Sequence, residues 1–299
     1  MDKIKSIVAE VQPDFIFHLA AQSLVRRSYQ NPLDTISTNA LGSASILEAV
    51  RDYIKPVVVV MITSDKAYDN VEWPWGYRET DRLGGKDPYS ASKGMAEIAI
   101  RSYIESYFKN TGHNVRIGIT RAGNVIGGGD WAQNRIVPDC IRSWSQDEPV
   151  EVRNPGSTRP WQHVLEPLSG YLTLGASLYE NGDYHGEAYN FGPNLDQNYS
   201  VRELIIEMSK YLKKINWNDV SHKKDKFHEA GLLKLNCDKA LCDLNWIPTL
   251  NFSDTVRMTA SWYETYYQDK KRKSMYEYTV GQVDEYIDLA KKKKIEWSI

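Results

Sequence analysis

The sequence is poor in cysteine, has no long apolar run and carries almost no net charge. Its three cysteines, Cys140, Cys237 and Cys242, form no CxxC pair, which argues against a disulfide framework and against a zinc site. No run of about 18 apolar residues is present, so no membrane span is expected. A net charge of −2 over 299 residues argues against a dedicated nucleic-acid binder. We therefore predict a cytoplasmic protein with no metal site and no membrane or nucleic-acid partner.

Strand-like and helix-like patterns alternate in the first part of the chain. The apolar, β-branched run Val57–Ile62 lies between Pro56 and a polar cluster, which is typical of a buried parallel strand. Similar runs cover residues 15–20 and 115–120. Helices are predicted between and before them, and the alternating order predicts a doubly wound, Rossmann-like parallel sheet of the α/β class. The predicted helices cover residues 2–11, 37–53 and 87–109.

The pattern loosens after residue 135. Short strands near 149–152 and 187–191 are predicted among helices near 163–180, 200–214 and 252–270. We predict that residues 1–135 form a partial dinucleotide-binding domain. Residues 136–299 are expected to form a smaller α+β part that binds the substrate, with some segments returning to the sheet.

The polar residues that follow the strand Val57–Ile62 are the first candidates for a functional site. The run Thr63-Ser64-Asp65-Lys66 stands at the carboxyl end of this strand, where open α/β sheets bind ligands. Tyr89 and Lys93 follow after a loop and share one face of a predicted helix. A cation within about 4–6 Å lowers the pKa of a phenol, which makes Tyr89 a candidate proton acceptor near neutral pH. For this pair alone, an exposed helix face is the alternative.

This arrangement resembles the extended, sugar-nucleotide branch of the short-chain dehydrogenase/reductase superfamily. Within that branch, residues 10–265 resemble the CDP-glucose 4,6-dehydratase family. The most specific matches are residues 62–70, 121–131 and 159–169. The resemblance implies NAD as cofactor and CDP-glucose as substrate, with a product used for deoxysugars of the lipopolysaccharide type. The implied reaction eliminates water, which requires an acid and a base that a 4-epimerase does not need.

The resemblance assigns the hydride chemistry to Ser64, Tyr89 and Lys93, with Ser64 bound to the oxygen on carbon 4. Asp65 is expected to protonate the hydroxyl that leaves carbon 6, if its site raises its pKa. Lys66 stands where many related dehydratases have a glutamate base, so it is the candidate base for the proton on carbon 5. The alternative for Lys66 is pairing with Asp65 or with a phosphate. Asp65 and Lys66 both face the substrate only if the backbone turns at Ser64 or Asp65.

The residues expected to contact NAD come from the turn after the first strand, from the next helix and from the catalytic run. For the small residues of the turn, simple close packing is the alternative. Asn39 lies in a Thr-Asn-x-x-Gly pattern, and the resemblance implies that its side chain braces the active-site backbone; a capping role is the alternative. His18 is interpreted as a packed strand residue. The predicted cofactor set is Ala20, Ala21, Gln22, Asn39, Thr63, Tyr89 and Lys93.

Residues 159–164 and 189–193, in the second part, are implied to contribute to the cover over the nucleotide sugar. Arg159 suits a pyrophosphate because a guanidinium makes two parallel hydrogen bonds to it. A structural ion pair is the alternative for Arg159. The predicted substrate set is Arg26, Asn124, Arg135, Arg159, Gln162, Asn190 and Lys234.

The start of the chain departs from the family pattern. A dinucleotide-binding fold opens with a strand, a glycine-rich turn and a helix, whereas residues 1–20 contain no glycine. We therefore expect an N-terminally truncated sheet that lacks ~80 residues of the family layout and has an apolar edge prone to association. A homodimer through helices 37–53 and 87–109 is also expected, with a small apolar surface formed by Ala91, Ala96, Ile98 and Ala99.

Two other functions are compatible with the sequence. One is a dehydratase or a 4-epimerase that acts on another nucleotide sugar. The other is a truncated remnant that acts only as a fold or as an interaction partner. A panel of nucleotide hexoses separates the first alternative from the main prediction, and dinucleotide binding separates the second.

Overall fold

The computed structural model of the chain describes residues 2–109, 113–212, 215–222, 231–268 and 275–299. Its central sheet is parallel throughout, which confirms the predicted α/β class. The strands of this sheet lie in the order β1 (Phe15–His18), β2 (Val57–Ile62), β3 (Val115–Ala122) and β8 (Ala188–Phe191). The small strands are β4 (Val125–Ile126), β5 (Val150–Val152), β6 (Thr158–Arg159), β7 (Gln162–His163), β9 (Tyr199–Ser200) and β10 (Trp217–Asp219).

Strand β1 is shorter and less buried than the sequence predicts. It ends at His18, and it pairs with β2 at one edge of the described sheet. An edge strand has a neighbour on one side only, so Phe15 is 40% exposed and Leu19, just beyond the strand, is 52% exposed. The apolar edge expected from the sequence is therefore present.

Helices cover both faces of the sheet, as a doubly wound fold requires. Successive side chains of β2 point to opposite faces. Val57, Val59 and Met61 contact α1 (Asp2–Val11), α4 (Gly42–Val50) and α5 (Pro88–Tyr103). Val58 and Val60 contact α7 (Leu165–Glu180) and α9 (Asp238–Leu244).

The helix predicted at residues 37–53 begins earlier than expected. Two short helices, α2 (Val25–Gln30) and α3 (Pro32–Ile36), precede a π-helical turn at Ser37–Leu41 that leads into α4. Pro32 occupies the first turn of α3, a position where its fixed φ favours a helix start. Helix α5 continues into a second π-helical turn at Ile104–Phe108.

The second part of the chain has its own core. Helices α6 (Ile136–Ser145), α8 (Val201–Met208) and α10 (Phe252–Gln268) pack with β5 and β10, and α11 (Met275–Lys292) lies against α10. Helix α8 ends at Met208, before the end predicted at residue 214. The last two residues of the helix predicted at 252–270 lie outside the described residues. Strand β8 pairs with β3, which confirms that a segment of the second part returns to the sheet. The division at residue 135 stays a prediction.

Within the described ranges, no helix combines the length and the apolar composition that crossing a membrane requires.

Candidate active site

A cavity of about 480 Å³ lies at the carboxyl ends of β2 and β3. Its walls come from the residues that follow β2, from the start of α5, from the turn after β3, and from residues 151–161. Of the predicted site residues, eight line this cavity: Thr63, Ser64, Asp65, Lys66, Tyr89, Asn124, Arg135 and Arg159.

The backbone turns directly after β2. Ser64 is in an extended conformation and caps a 3₁₀ turn that begins at Asp65. Its hydroxyl accepts a hydrogen bond from the Lys66 N–H at 3.2 Å and donates to Asp65 Oδ1 at 3.0 Å. Because of this turn, Asp65 and Lys66 both line the cavity. Such a turn is what the two side chains need in order to face the substrate together.

Asp65 is a buried carboxyl, with only 2% of its surface exposed. Burial raises its pKa, while Lys66, Ser64 and Arg159 act in the opposite direction. A Cβ on Gly123 would lie 1.8 Å from Asp65 Oδ2, so glycine is needed there for the carboxyl to fit. The Asn124 side-chain amide approaches the same oxygen at 3.4 Å. The site thus favours a protonated Asp65, as required of an acid.

The first turn of α5 places Tyr89 in the cavity wall. The Asp87 carboxylate caps the helix by accepting hydrogen bonds from the N–H groups of Tyr89 and Ser90, both at 3.0 Å. This is the N-cap geometry that satisfies free N–H groups at a helix start. One turn later, Lys93 is buried, and burial lowers its pKa to about 8 although Glu97 acts against the shift.

The expected lowering of the Tyr89 pKa by Lys93 is wrong for this structure. Burial raises the pKa of the Tyr89 phenol to about 12, and the groups that oppose this rise are Ser64, through a side-chain hydrogen bond, and Arg135. The sequence spacing correctly placed Tyr89 and Lys93 on one helix, but it carries no information on how deeply the phenol is buried. Desolvation disfavours the charged phenolate and outweighs the nearby cations.

The predicted bracing role of Asn39 is confirmed. Its side-chain oxygen accepts from the Gln22 N–H at 2.8 Å, and its amide donates to the Gln22 carbonyl at 3.0 Å and to the Ser92 hydroxyl at 2.8 Å. The Ser92 hydroxyl in turn donates to the Tyr89 carbonyl at 2.7 Å. Asn39 thereby fixes the turn after β1 to the first turns of α5.

The remaining cofactor candidates differ in what their side chains contact. Ala20 is exposed and Ala21 is half-buried, both just beyond β1. The Gln22 amide donates to Thr35 Oγ1 at 2.9 Å, so this side chain, like that of Asn39, is engaged with the protein. The Thr63 hydroxyl donates to Glu97 Oε1 at 2.7 Å. His18 is a packed strand residue, as interpreted from the sequence: it is buried and lies 3.4 Å from the Ser43 hydroxyl.

Arg135 and Arg159 are the cavity residues best suited to an anion. Arg135 stands just before α6, where its guanidinium binds the Asp130 carboxylate and the Ser23 hydroxyl, both at 2.8 Å. Arg159 belongs to β6 and donates to the Thr158 carbonyl at 2.8 Å. Burial raises the pKa of both Tyr89 and Asp65, and the two arginines oppose this rise, Arg135 at Tyr89 and Arg159 at Asp65.

Two predicted substrate residues hold the fold together and do not line the cavity. The Gln162 amide donates to the carbonyls of Gly123 and Phe191, at 3.0 and 2.9 Å. The Asn190 side chain has no exposed surface; it donates to the Tyr77 carbonyl and accepts from the Tyr68 hydroxyl. The prediction that these two residues bind the substrate directly is therefore wrong. Gln162 joins the turn after β3 to the end of β8, and Asn190 joins the end of β8 to neighbouring segments.

Arg26 and Lys234 also lie away from the cavity wall. Arg26 is half-buried on α2, and it has a partner of its own within the described chain. Lys234 contributes its carbonyl, which accepts from the Tyr77 N–H at 3.0 Å. Neither residue therefore lines the cavity to which the sequence prediction assigned it.

Tyr171 is one of several cavity residues that the sequence reasoning missed. Tyr171 lies on α7, lines the cavity, and is 6% exposed. It follows the recognised run 159–169 within a helix whose apolar spacing predicts ordinary core packing. The sequence therefore offered no signal that distinguishes it from a core tyrosine.

The parallel sheet, with Ser64 at the end of a strand and Tyr89 and Lys93 on one helix, is the arrangement expected of an extended short-chain dehydrogenase/reductase. Residues 1–259 match the family described as GDP-mannose 4,6 dehydratase. The chain is 43% identical over 272 residues to the CDP-glucose 4,6-dehydratase of Salmonella typhimurium, an alignment that covers 89% of this chain and 74% of that protein. The chain belongs to the GDP-mannose 4,6 dehydratase family.

Solved structures show the same fold. The UDP-glucuronic acid 4-epimerase of Bacillus cereus superposes with a TM-score of 0.75 at 20% identity, over 88% of this chain and 78% of that one. DesIV, the dTDP-glucose 4,6-dehydratase of Streptomyces venezuelae solved with NAD and TYD bound, gives a TM-score of 0.74 at 23% identity, over 87% and 76% of the two chains.

Proposed function

We propose that this chain catalyses the NAD-dependent 4,6-dehydration of CDP-glucose to CDP-4-dehydro-6-deoxyglucose, a precursor of deoxysugars in lipopolysaccharide, and that it does so in the cytoplasm. The observation that carries the proposal is that a buried acid, Asp65, lines the same cavity as Tyr89. Epimerisation at carbon 4 needs only the tyrosine, whereas elimination across carbons 5 and 6 also needs an acid. The 43% identity to a CDP-glucose 4,6-dehydratase supports the nucleotide.

The residues beside β1 and in α5 fit a dinucleotide. Ala20 and Ala21 put small side chains at the carboxyl end of a parallel strand, where α/β sheets bind nucleotides. Asn39 and Gln22 hold that turn rigid, and Lys93 supplies a buried cation on the neighbouring helix. When bound, NAD supplies a positively charged ring that takes a hydride from carbon 4 and returns it at carbon 6.

The groups that act on the oxygen on carbon 4 are Ser64, Tyr89 and Lys93. The Ser64 hydroxyl binds this oxygen, and Tyr89, which shares a hydrogen bond with Ser64, accepts its proton as the phenolate. Burial raises the pKa of the phenol to about 12, which disfavours the phenolate. A nearby cation lowers the pKa of a phenol, and NAD, held by the residues named above, would supply such a charge.

Asp65 and Lys66 serve the elimination. The raised pKa of Asp65 keeps a proton available for the hydroxyl that leaves carbon 6. Lys66 lies on the same turn and is the base for the proton on carbon 5. Its alternative role, pairing with Asp65 or with a phosphate, makes it a positioning residue instead. Asn124, Arg135 and Arg159 bind the sugar nucleotide, with the two guanidinium groups directed to the diphosphate.

A panel of CDP-, dTDP-, UDP- and GDP-glucose, each incubated with the protein and NAD, tests this function. We expect a 4-keto-6-deoxy product from CDP-glucose at a rate well above those from the other three. If another member of the panel is converted faster than CDP-glucose, the substrate carries that nucleotide instead of CDP. A 4-epimer as product contradicts the dehydratase chemistry, and absence of dinucleotide binding by calorimetry favours the inactive remnant.

We also propose that the protein is a homodimer built on α4 and α5. Ile98 and Met95 are exposed on α5, at 60% and 44%, and Leu41 is 58% exposed at the start of α4. These three side chains leave apolar surface exposed on the two helices proposed to pair, where a second copy would bury it. Ala96, which the sequence assigned to this face, is 2% exposed and packs inside its own subunit, so it does not contribute.

A further inference from the structure

Tyr171 forms part of the cavity wall between the two groups assigned to proton transfer. It lies on α7, on the face of the sheet opposite α5, and it lines the cavity. The groups that act on its phenol are Thr120, Asp65 and Tyr89. Tyr171 therefore borders the same cavity as the acid proposed for carbon 6 and the proton acceptor proposed for carbon 4.

The ring of Tyr171 is fixed by the close approach of α7 to β8. A Cβ on the preceding Gly170 would lie 2.3 Å from Phe191 Cδ1, so glycine is what allows the helix to come this near. The Tyr171 and Phe191 rings meet edge to face, with centroids 6.0 Å apart, and this geometry is favourable for aromatic pairs. The ring is consequently held at one place in the cavity wall.

The Tyr171 phenol keeps its proton throughout the physiological range. Burial is the largest influence and raises its pKa, Asp65 and Tyr89 add to the rise, and Thr120 opposes it. A neutral phenol offers one hydrogen-bond donor and one acceptor. Such a group suits a sugar hydroxyl, which also donates and accepts, better than it suits a diphosphate, which only accepts.

We propose that Tyr171 belongs to the hexose subsite and that its hydroxyl hydrogen-bonds a hexose hydroxyl beside Asp65. This inference rests on the proposed function, because it takes the hexose of a sugar nucleotide as the ligand near Asp65 and Tyr89. Tyr171 is thus a residue that recognises the sugar and orients it for elimination, in addition to the catalytic groups of the turn after β2.

Calorimetric titration of the wild type and Tyr171→Phe with CDP-glucose and with CDP tests the proposal. Removing one hydrogen bond of about 0.5–1.5 kcal/mol weakens binding about twofold to twelvefold, so we expect a loss in this range for CDP-glucose. The affinity for CDP, which lacks the hexose, should stay unchanged. The ring and its contact with Phe191 are retained in phenylalanine, so the fold is preserved.

Tyr184→Phe is the matched control. The Tyr184 hydroxyl donates to the Asp243 carbonyl at 2.9 Å, away from the cavity, and its loss should leave both affinities unchanged. Equal binding of CDP-glucose by Tyr171→Phe and the wild type overturns the proposal, and so does an equal loss for CDP-glucose and CDP.

Titration of the wild type with dTDP-glucose as well separates this inference from the proposed substrate. If the wild type prefers dTDP-glucose to CDP-glucose, the nucleotide assignment is wrong. The pair dTDP-glucose and dTDP then tests Tyr171 in the same way, because the hydroxyl is assigned to the hexose and not to the base.

Discussion

Glu97 on α5 and Arg121 on β3 form an ion pair in which neither side chain has any exposed surface. Arg121 Nε donates to Glu97 Oε1 at 2.7 Å, and the same carboxylate accepts from the Thr63 hydroxyl at 2.7 Å. Arg121 also donates to the Tyr68 hydroxyl at 2.6 Å. The pair joins the helix that carries Tyr89 and Lys93 to the ends of the strands that border the cavity.

Removing one partner of this pair should strongly destabilise the protein. Glu97→Gln leaves the Arg121 charge buried without compensation, and such changes cost about 3–5 kcal/mol. We expect a decrease of this size in the free energy of unfolding, measured by urea denaturation. Glu105→Gln, which removes an exposed pair with Lys109, should leave the urea midpoint unchanged. A loss below about 1 kcal/mol for Glu97→Gln contradicts the structural role of the pair.

Asp65→Asn should separate oxidation from elimination. Asparagine keeps the shape of the side chain but cannot supply the proton that the hydroxyl on carbon 6 needs in order to leave. We expect the variant to oxidise CDP-glucose and to stall before the 4-keto-6-deoxy product. The measurements are the near-ultraviolet absorbance of reduced NAD and identification of the accumulated 4-keto-hexose by mass spectrometry.

Asp69→Asn is the control for this prediction, because Asp69 lies on the same segment, pairs with the exposed Arg82 and stays out of the cavity. It should retain both steps. If Asp65→Asn binds substrate but forms no reduced NAD, Asp65 belongs to the oxidation step or holds the site together.

Tyr89→Phe should remove hydride transfer. The phenolate of Tyr89 is the proposed acceptor of the proton from the hydroxyl on carbon 4, and loss of a general base lowers the rate by roughly 10²-fold or more. The measurement is the rate of the first turnover with CDP-glucose. Tyr103→Phe on the same helix removes a hydroxyl that donates to Glu48 at 3.3 Å and should have little effect. A rate for Tyr89→Phe within about threefold of the wild type counts against the assignment.

Glu166 should make stability depend on pH. It is buried on α7, where it accepts hydrogen bonds from the Thr249 N–H and the Tyr286 hydroxyl, both at 3.0 Å, yet burial raises its pKa to about 7. Between its unfolded value of 4.5 and about 7, the folded state binds the additional proton. Stability contributed by this group therefore falls as the pH rises through that window, by up to about 3 kcal/mol.

The comparison of the wild type with Glu166→Gln isolates this effect. His18 and His163, whose pKa values are lowered to about 4 by burial, make stability rise with pH over part of the same range. The difference in unfolding free energy between the two proteins removes their contribution. We expect Glu166→Gln to gain stability relative to the wild type as the pH increases from about 5 to about 7. A difference that does not vary with pH shows that Glu166 keeps its ordinary pKa.

Ile98→Asp should convert the proposed dimer into a monomer, because it places a charge at the centre of the apolar face of α5. Sedimentation equilibrium at micromolar concentration measures the mass of each protein. Ile206→Asp changes a residue of similar exposure, 55%, on α8 and should leave the mass unchanged. A monomeric wild type, or equal masses for the wild type and Ile98→Asp, contradicts this interface.

The sequence by itself determined the sheet and the placement of its catalytic run. The apolar run Val57–Ile62 and the spacing of Tyr89 and Lys93 are local patterns, and local periodicity is sufficient to define a buried strand, its carboxyl end and one face of a helix. The resemblance also identified Asn39 as a brace, because its motif combines the asparagine with its neighbours in one short stretch.

Tertiary structure alone decided which polar residues reach the cavity and how they titrate. Gln162 and Asn190 stand in recognised runs but satisfy backbone groups of distant segments, whereas Tyr171 carries no motif and lines the cavity. The pKa of Tyr89 rises because the folded chain excludes water from it. Burial and hydrogen-bond partners depend on residues far apart in sequence, and no local pattern encodes them.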